Sequence, residues 1–259
     1  MLKKKNVFIT GASSGIGLAC AKEFAAQGAN LLLCARRIEL LATLAEDLIS
    51  EYGIDIYPFE LDVRDSVAVK RALYSLPSHW QDIDILINNA GLAAGLDHLQ
   101  DGTVDDWDQM IDTNIKGLLY VTREVIPQMI GKNSGHIINI GSIAGYQTYP
   151  KGAVYCATKH AVLALSEGLR MDLLGSNIRV STISPGFVET NFSLVRFKGD
   201  VERASSVYAG MTALLAEDIA EAVVYCATRK PHVNISELLV MPTDQASVNL
   251  IARRKADSN

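Results

Sequence analysis

Near its start the chain reads Thr10-Gly11-Ala12-Ser13-Ser14-Gly15-Ile16-Gly17, directly after a short apolar run over residues 7–9. Glycines at Gly-x-x-x-Gly-x-Gly spacing, between an apolar run and a helical pattern, are typical of a loop that holds a dinucleotide. Gly11 permits a tight turn, Gly15 lets the backbone approach a pyrophosphate, and Gly17 allows close packing of helix on sheet. The helix start adds amide donors and a partial positive charge. This stretch predicts a strand–loop–helix unit that binds a dinucleotide.

The rest of the chain repeats this order of strand and helix. The predicted strands are Val7–Thr10, Asn30–Ala35, Asp55–Glu60, Ile83–Asn88, His136–Ile140, Arg179–Ser184 and Leu238–Met241. The predicted helices are Ile16–Gly28, Glu39–Tyr52, Val67–Leu76, Thr103–Ile130, Val154–Gly175 and Ala216–Thr228. Several strands are apolar throughout, as strands covered on both faces should be. The alternation predicts an α/β fold, a doubly wound parallel sheet of the Rossmann type with helices on both faces, in a single domain over residues 1–259.

One interval breaks the alternation. From Pro185-Gly186 to about Tyr208 the residues follow no clean period. In doubly wound folds, ligands bind beyond the carboxyl ends of the strands. The segment 187–210 is therefore predicted to be a substrate lid, and an unstructured surface excursion is the alternative.

Charge and composition exclude several function classes. The 259 residues carry a formal net charge of −5, and 49% of them are apolar. A mildly acidic surface gives no electrostatic reason to expect nucleic acid as a partner. The like-charge runs Lys3–Lys5 and Arg253–Lys255 are predicted to be solvated ends. The apolar run after Lys5 is too short for a signal-peptide core, so we expect a cytoplasmic protein with no membrane partner.

The four cysteines form no Cys-x-x-Cys pair and lie far apart in apolar surroundings. They are Cys20, Cys34, Cys156 and Cys226. We predict reduced core residues, with neither a disulfide framework nor a metal site.

The end of the second strand bears on the choice of cofactor. A site specific for NAD usually carries a carboxylate there, which bonds the ribose 2′-hydroxyl. This chain has Arg36-Arg37, with no carboxylate before Glu39. Two guanidinium groups suit a 2′-phosphate, which a carboxylate would repel. NADP is therefore the predicted cofactor, and the alternative is that the arginines merely begin a solvated helix.

Tyr155 and Lys159 stand one helical turn apart and share a helix face. Ser142 ends the preceding strand, which brings its hydroxyl near the same sheet edge as the glycine loop. Hydride transfer to a carbonyl creates an oxyanion that a phenol can protonate, and a nearby ammonium lowers the phenol pKa towards neutral pH. Ser142 can hydrogen-bond the reacting oxygen, although a strand-end cap is its simpler role. Together these residues predict an acid/base site for hydride-transfer chemistry.

Asn114 is a polar residue on an apolar helical stripe. The stripe consists of Trp107, Met110, Ile111, Leu118, Val121 and Val125. A buried amide needs partners, which backbone or water near Lys159 would provide. The alternative is an amide satisfied within its own helix, just as Asn88-Asn89 are consistent with an ordinary turn.

At this point the sequence resembles the short-chain dehydrogenase/reductase family over nearly its whole length. The resemblance is carried by residues 10–17, Asn88-Asn89-Ala90-Gly91, Asn114, Ser142, Tyr155-x-x-x-Lys159 and Pro185-Gly186. It implies a sheet of about seven strands and a homotetramer. It also implies that Tyr155 is the acid/base, that Lys159 lowers the pKa of Tyr155 and holds the nicotinamide ribose, that Ser142 positions substrate, and that Asn114 holds a relay water.

The resemblance further implies a set of cofactor contacts. Asp62-Val63 would flank the adenine, and Asn89-Ala90-Gly91 would lie along the adenine ribose. The stretch from Pro185 to Thr190 would reach the nicotinamide. The implied cofactor-binding residues are Gly11, Ser13, Ser14, Gly15, Ile16, Gly17, Arg36, Arg37, Asp62, Val63, Asn89, Ala90, Gly91, Tyr155, Lys159, Pro185, Gly186, Val188 and Thr190.

Within the family, residues 89–95, 195–200 and 241–243 are similar to the NADP-dependent 3-hydroxy acid dehydrogenases, which oxidise serine, allo-threonine and related acids. The predicted function is therefore oxidation of small 3-hydroxy acids, or reduction of the matching carbonyl. One alternative is an NADPH-dependent reductase of another carbonyl, such as a 3-oxoacyl thioester, although those reductases usually end their last strand in a Gly-Gly turn that this chain lacks. A remote alternative is a non-catalytic NADP-binding regulator.

The lid segment carries a basic pair around an aromatic residue, Arg196-Phe197-Lys198. The planar fork of an arginine can hold both oxygens of a carboxylate, so Arg196 is predicted to bind the substrate carboxylate, together with Ser142 and Tyr155 at the reacting carbon. The alternative is that both cations face solvent or pair with Asp200 and Glu202.

Overall fold

The computed structural model describes residues 2–254. Its strands are β1 Asn6–Thr10, β2 Asn30–Ala35, β3 Ile56–Glu60, β4 Ile85–Asn88, β5 Gly135–Ile140, β6 Ile178–Pro185 and β7 Glu237–Val240. They form one parallel sheet in the order β3-β2-β1-β4-β5-β6-β7. Every predicted strand is confirmed to within two residues at each end.

Helices cover both faces of this sheet. Their bounds are α1 Gly15–Ala26, α2 Ile38–Tyr52, α3 Ser66–Tyr74, α4 Val104–Ile111, α5 Leu118–Gly131, α6 Ala153–Asp172, α7 Phe192–Arg196, α8 Val201–Ser206 and α9 Ala216–Ala227. Apolar residues of α1, α2 and α9 form one buried layer, and those of α3, α5 and α6 form the other. Strands buried between two helical layers have no polar face, which explains their unbroken apolar runs. The predicted Rossmann-type fold is confirmed.

The strand order places a switch point beside β1. From β1 the chain winds outwards through β2 and β3, and then returns to β4 on the other side of β1. The loops after β1 and β4 therefore diverge and open a crevice at the carboxyl edge of the sheet, where ligands of such folds bind. The glycine loop follows β1, and Asn89-Ala90-Gly91 follows β4.

The predicted helix Thr103–Ile130 is interrupted at Asn114. The segment Asp112–Gly117 forms a π-helical turn between α4 and α5. Such a turn takes up extra residues and changes the phase of the side chains. Ile111, predicted to lie on the buried stripe, is 36% exposed, whereas Val121 and Val125 beyond the turn are buried.

The predicted lid segment is more ordered than its sequence suggests. It contains the short helices α7 and α8, and a parallel bridge joins Val188 to Leu214. The basic run near the carboxyl end packs on this segment: Arg253 donates to the carbonyls of Val207 and Ala209, and the amide of Arg254 donates to Gly210. Arg253 and Arg254 are nevertheless exposed, as predicted for a solvated end. Lys255 lies outside the described residues.

The sequence also predicts that the four cysteines are core residues and that the protein has no membrane partner. All four cysteine thiols are buried, as predicted. Among the helices of residues 2–254, none combines the length and the apolar character that a bilayer span requires.

Candidate active site

A cleft of about 570 Å³ opens at the carboxyl edge of the sheet, between the glycine loop and the segment 187–210. The predicted site residues that line it are Gly11, Ser13, Ser14, Gly15, Ile16, Arg36, Arg37, Asp62, Val63, Asn89, Ala90, Gly91, Ser142, Tyr155, Lys159, Pro185, Gly186, Val188, Thr190 and Arg196. Gly17 and Asn114 lie behind the wall of the cleft. The fold therefore gathers residues from all parts of the sequence at one place.

The glycine loop is held closely against the segment after β4. Gly11 has a φ of +66°, a left-handed conformation that favours glycine. A Cβ atom on Gly17 would lie 2.4 Å from the Gly11 carbonyl oxygen and 2.4 Å from Nδ2 of Asn89. That same Nδ2 donates to the carbonyls of Thr10 and Gly11, at 2.9 and 3.1 Å. Gly17 thus serves close packing, as the sequence predicts, and Asn89 buttresses the loop.

The two arginines after β2 take different positions. Arg37 donates from its guanidinium to the hydroxyls of Ser13 and Ser14, at 3.2 and 3.4 Å. Arg36 is exposed and lines the same end of the cleft. Both cations therefore line the cleft beside the glycine loop, and Arg37 also directly precedes α2. Their binding of a 2′-phosphate stays a prediction.

A third arginine, Arg64, lies at this end of the cleft and was missed by the sequence analysis. Its guanidinium pairs with the carboxylate of Asp62, with a closest N–O distance of 2.6 Å. Hydrogen bonding from Arg64 lowers the pKa of Asp62, and the charge of Arg36 adds a smaller effect. The short motif Asp62-Val63-Arg64 at the end of a strand is the signal that would have identified it.

Tyr155 lies near the start of α6 and faces into the cleft. The guanidinium carbon of Arg196 lies 4.9 Å from the centre of its ring, and Phe192 packs edge-on at 5.6 Å. Burial raises the pKa of Tyr155, while the charge of Arg196 and a hydrogen bond involving Ser142 act in the opposite direction. The charge of Arg196 thus opposes the effect of burial on this phenol. That Lys159 also lowers the pKa of Tyr155 stays a prediction.

Lys159 is held one turn further along α6. Its Nζ donates to the carbonyl of Ile140 at 2.9 Å, and burial lowers the pKa of Lys159 to about 8. The bare Cα of Gly91 lies beside it, because a Cβ there would be 3.7 Å from the Lys159 Nζ. Lys159 therefore holds a proton that it can release near neutral pH.

Asn114, in the π-helical turn, is bonded across to other elements. Its side chain accepts from the amide of Leu92 at 2.9 Å, and donates to the Leu92 carbonyl at 2.8 Å and to Thr158 at 3.0 Å. The alternative of an amide satisfied within its own helix is therefore wrong. Ser142 accepts from the amide of Ala144 at 3.1 Å, so it caps the following turn as well as facing the cleft.

The segment after β6 meets the far side of the glycine loop. Gly186 lies against Gln245, since a Cβ on it would come within 2.2 Å of Oε1 of Gln245, and that oxygen accepts from the Phe187 amide at 2.9 Å. A Cβ on Gly15 would lie 3.5 Å from Cβ of Thr190, which places Thr190 across the cleft from the loop. Gln245 was missed by the sequence analysis, because nothing local marks a glutamine that packs on a distant glycine.

Arg196 and Lys198 point to different neighbours. Arg196 donates to the Tyr149 hydroxyl at 2.6 Å and lines the cleft, whereas Lys198 forms an ion pair of 2.9 Å with Asp106 on α4. The alternative of pairing with Asp200 and Glu202 is therefore wrong for both. Tyr149 is a further cleft residue that the sequence analysis did not identify.

The comparison with known families agrees with this geometry. A family model described as "short chain dehydrogenase" matches residues 5–200, which span β1 to α7. The chain belongs to the short-chain dehydrogenase family. The predicted resemblance is confirmed.

Curated members of the short-chain dehydrogenase family resemble the chain along almost its full length. The NADP-dependent 3-hydroxy acid dehydrogenase of Salmonella typhi is 47% identical over 249 residues, covering 96% of this chain and 99% of the relative. The sulfoacetaldehyde reductase of Chromohalobacter salexigens is also 47% identical, over 241 residues, covering 93% of this chain and 94% of the relative. Two relatives that are equally similar to the chain in sequence are thus named for different substrates.

A solved short-chain dehydrogenase shares the fold in detail. The closed form of serine dehydrogenase, complexed with NADP+, superposes with a TM-score of 0.90 at 46% sequence identity. The match covers 96% of this chain and 100% of that chain.

Proposed function

We propose that this chain is an NADP-dependent dehydrogenase that oxidises the hydroxyl-bearing carbon of small 3-hydroxy acids, or reduces the matching 3-oxo acids. The observation that carries the proposal is the guanidinium of Arg196, 4.9 Å from the ring of Tyr155. A permanent cation beside the acid/base group suits a substrate whose carboxylate and hydroxyl carbon are separated by a single carbon atom. The relative named for 3-hydroxy acids supports the same substrate class.

The described residues fit NADP. The backbone cradle at Gly17 leaves no room for a Cβ, and Arg37 bridges the loop hydroxyls at the end where a 2′-phosphate would lie. Residues 11–17 would hold the pyrophosphate, Arg36 and Arg37 the 2′-phosphate, Asp62-Val63 the adenine and Asn89-Ala90-Gly91 its ribose. Tyr155, Lys159 and residues 185–190 would hold the nicotinamide half. When bound, NADP supplies the acceptor for a hydride from the alcohol carbon, and NADPH supplies the donor in reverse.

The chain's own groups handle the proton and the orientation. Tyr155 takes the proton of the substrate hydroxyl during oxidation and returns it during reduction. Ser142 hydrogen-bonds the same oxygen and fixes its position. Lys159, with a pKa of about 8, exchanges the proton onwards, and Asn114 anchors the turn beside it. Residues 187–210 act as the lid that excludes water and carries Arg196.

A second candidate is reduction of a small anionic aldehyde by NADPH. The sulfoacetaldehyde reductase of Chromohalobacter salexigens is as similar in sequence as the hydroxy acid relative. A sulfonate at the same one-carbon spacing would meet the same cation. Thioesters of 3-oxo acids are less suited, because their neutral end offers nothing to Arg196.

The deciding experiment is a substrate panel with the purified chain. L-Serine, L-allo-threonine and 3-hydroxypropionate are assayed with NADP, and sulfoacetaldehyde and a 3-oxoacyl thioester with NADPH. We expect the highest kcat/KM on a 3-hydroxy acid. A preference for the thioester would overturn the proposal. Binding of NADPH, seen by its fluorescence, without turnover of any substrate would favour a non-catalytic regulator.

We also propose that the protein forms a homotetramer and that it is located in the cytoplasm. Exposed apolar side chains on α4 and α5, among them Val104, Ile111 and Leu119, support association between copies. We expect light scattering to give a mass near four times that of one chain. Fractionation of the native cells tests the location.

A further inference from the structure

Tyr149 occupies a position that the neighbouring backbone is shaped to accept. It lies in the loop between β5 and α6, and its ring rests on Gly152. A Cβ on Gly152 would come within 2.0 Å of a ring carbon of Tyr149, so only glycine allows the ring to lie there. The Gly152 amide donates to the Tyr149 carbonyl at 3.1 Å. The local sequence therefore fixes where the Tyr149 phenol points.

The hydroxyl of Tyr149 already receives one hydrogen bond. Nη2 of Arg196 donates to its oxygen at 2.6 Å. A phenol carries a single proton, and an oxygen that accepts from Arg196 must direct that proton elsewhere. Within residues 2–254 no group accepts it, and Tyr149 lines the cleft. The phenol is therefore a donor at the wall of the cleft.

Burial keeps this proton in place. Desolvation raises the pKa of Tyr149, although the adjacent charge of Arg196 opposes the shift. The group consequently stays neutral and able to donate at any pH where the protein works. Its role is thereby separated from that of Tyr155, which must exchange its proton.

We propose that Tyr149 and Arg196 together form the subsite that binds the substrate's carboxylate, with Tyr149 as the second donor and a determinant of specificity. This inference rests on the proposed function, because the anion it binds is that of the 3-hydroxy acid. Arg196 lies 4.9 Å from the Tyr155 ring centre and 5.7 Å from that of Tyr149, so it stands between the two phenols. One donor on each carboxylate oxygen sets the rotation of the substrate and directs its hydroxyl carbon to Tyr155.

A main-chain hydrogen bond fixes the position of Arg196 in this subsite. The amide of Gly95 donates to the Arg196 carbonyl at 3.0 Å, which ties α7 to the loop after β4. Nε of Arg196 is buried and has no partner among the described residues. A neutral substrate would leave the Arg196 guanidinium and the Tyr149 hydroxyl without an anion to bind. A site whose buried polar groups are left unpaired by a substrate discriminates against that substrate.

Binding without turnover gives the first test. Propionate, which lacks the reacting hydroxyl, is titrated calorimetrically into the NADPH complex, with propionamide as its neutral counterpart. Tyr149→Phe should weaken propionate about 10-fold, as expected for a hydrogen bond to a charged group, and propionamide by no more than about threefold. NADPH affinity should stay within a few-fold. The matched control is Tyr146→Phe, which removes a phenol of the same loop that bonds Glu237 outside the cleft.

Kinetics give the second test. With a 3-hydroxy acid, Tyr149→Phe should raise KM about 10-fold and change kcat by no more than a few-fold, while the methyl ester is little affected. In an Arg196→Met background the same substitution should cost much less, because both donors serve one anion. Equal losses on acid and ester, or unchanged propionate binding, would overturn the subsite. Propionate binding that depends on Tyr149, in a protein that oxidises no 3-hydroxy acid, would support the subsite and overturn the proposed function.

Discussion

The Arg196 guanidinium lies beside two phenols, those of Tyr149 and Tyr155, which differ in their surroundings. Burial raises the pKa of both Tyr149 and Tyr155. Ser142 acts to lower the pKa of Tyr155, and the ring of Tyr149 rests on Gly152. We propose that the same residue type serves as a fixed donor at Tyr149 and as the proton carrier at Tyr155.

Tyr155→Phe keeps the ring and removes the exchangeable proton. We expect turnover to fall at least about 100-fold, the lower range for general acid–base catalysis, with NADPH affinity within a few-fold of wild type. Steady-state assays and NADPH fluorescence titration measure the two quantities, and Tyr146→Phe is the control. More than about a tenth of wild-type activity would remove Tyr155 from the acid/base role.

Arg36 and Arg37 are predicted to recognise the 2′-phosphate. Their joint replacement by Met should weaken NADP binding at least about 10-fold and NAD binding far less, since only NADP carries the group they pair with. Arg37→Met alone should cause most of this loss of NADP affinity, because Arg37 donates to the hydroxyls of the glycine loop. Arg71→Met, on the exposed face of α3, is the control. Equal losses for both cofactors would show a structural role instead.

Arg196→Met removes the proposed carboxylate contact. On a 3-hydroxy acid kcat/KM should fall roughly 10- to 100-fold, and on the methyl ester it should change little. Arg203→Met is the matched control, because Arg203 also stacks on a lid aromatic, Phe197 at 4.3 Å, but lies outside the cleft wall. A parallel loss on acid and ester would indicate a disturbed lid rather than a lost contact.

At the scale of elements, strands β5 and β6 bury a histidine between them. His136 on β5 is 2% exposed, and its Nε2 lies 2.8 Å from the Ser181 hydroxyl on β6. Burial, with a further contribution from Arg179, lowers the pKa of His136 well below 6.5. The folded protein therefore keeps this imidazole neutral under conditions in which the unfolded chain protonates it.

The sign of the pH effect follows from that difference. Below about pH 6.5 the unfolded state binds a proton that the folded state refuses, so stability falls as the pH falls, by up to about 1.4 kcal/mol per pH unit from this residue. His136→Gln should flatten the decline in the unfolding free energy between pH 6.5 and 5. Urea denaturation at several pH values measures it, with His160→Gln, an exposed histidine on α6, as control. Parallel curves for wild type and His136→Gln would contradict the assignment.

The strands could be predicted from the sequence more closely than the helices. The strands were predictable because burial on both faces imposes continuous apolar runs. The π-helical turn at Asn114 was not, since a period of 3.6 residues cannot reveal where one turn widens. At the end of this turn a Cβ on Gly117 would come within 2.7 Å of Val63, so the backbone there lies too close to the loop after β3 for a side chain.

At the scale of the whole molecule, the lid is fastened by a distant part of the chain. Arg253 and Arg254 bond the carbonyls of residues 207–210, and Asp244 accepts from the amide of Thr212 at 2.8 Å. We call residues 244–254 the clasp. It connects the end of the lid to the wall formed by Gln245.

Arg253→Gln should loosen this fastening. Removing two hydrogen bonds to the lid should speed proteolytic cleavage within residues 187–210 several-fold and raise the substrate KM, with NADPH affinity little changed. Limited proteolysis followed by mass spectrometry locates the cuts. Arg229→Gln is the control, because that arginine follows α9 and bonds the Tyr225 carbonyl on that helix. Unchanged cleavage of the lid would show that the clasp does not restrain it.

The candidate site was predictable as far as its residues sit in local motifs. The glycine loop, the Tyr155–Lys159 pair and Arg36-Arg37 each carry their signal within a few residues. Tyr149 and Gln245 do not, because their roles depend on a bare glycine or a guanidinium that only the folded chain brings near. Arg196 lay between these cases: its charge was visible in the sequence, but its place beside Tyr155 was not.

The clasp also bears on the order in which the protein is made. Synthesis proceeds from the amino end, so the glycine loop, Tyr155 and the lid all leave the ribosome before residues 244–254. Until then the carbonyls of residues 207–210 lack the partners that the clasp provides, and Gly186 lacks its glutamine. A nascent chain can therefore fold its sheet and present its cofactor loop while the substrate side stays open. The hydrogen bonds that fasten residues 207–210 therefore form only after residues 244–254 have been synthesised.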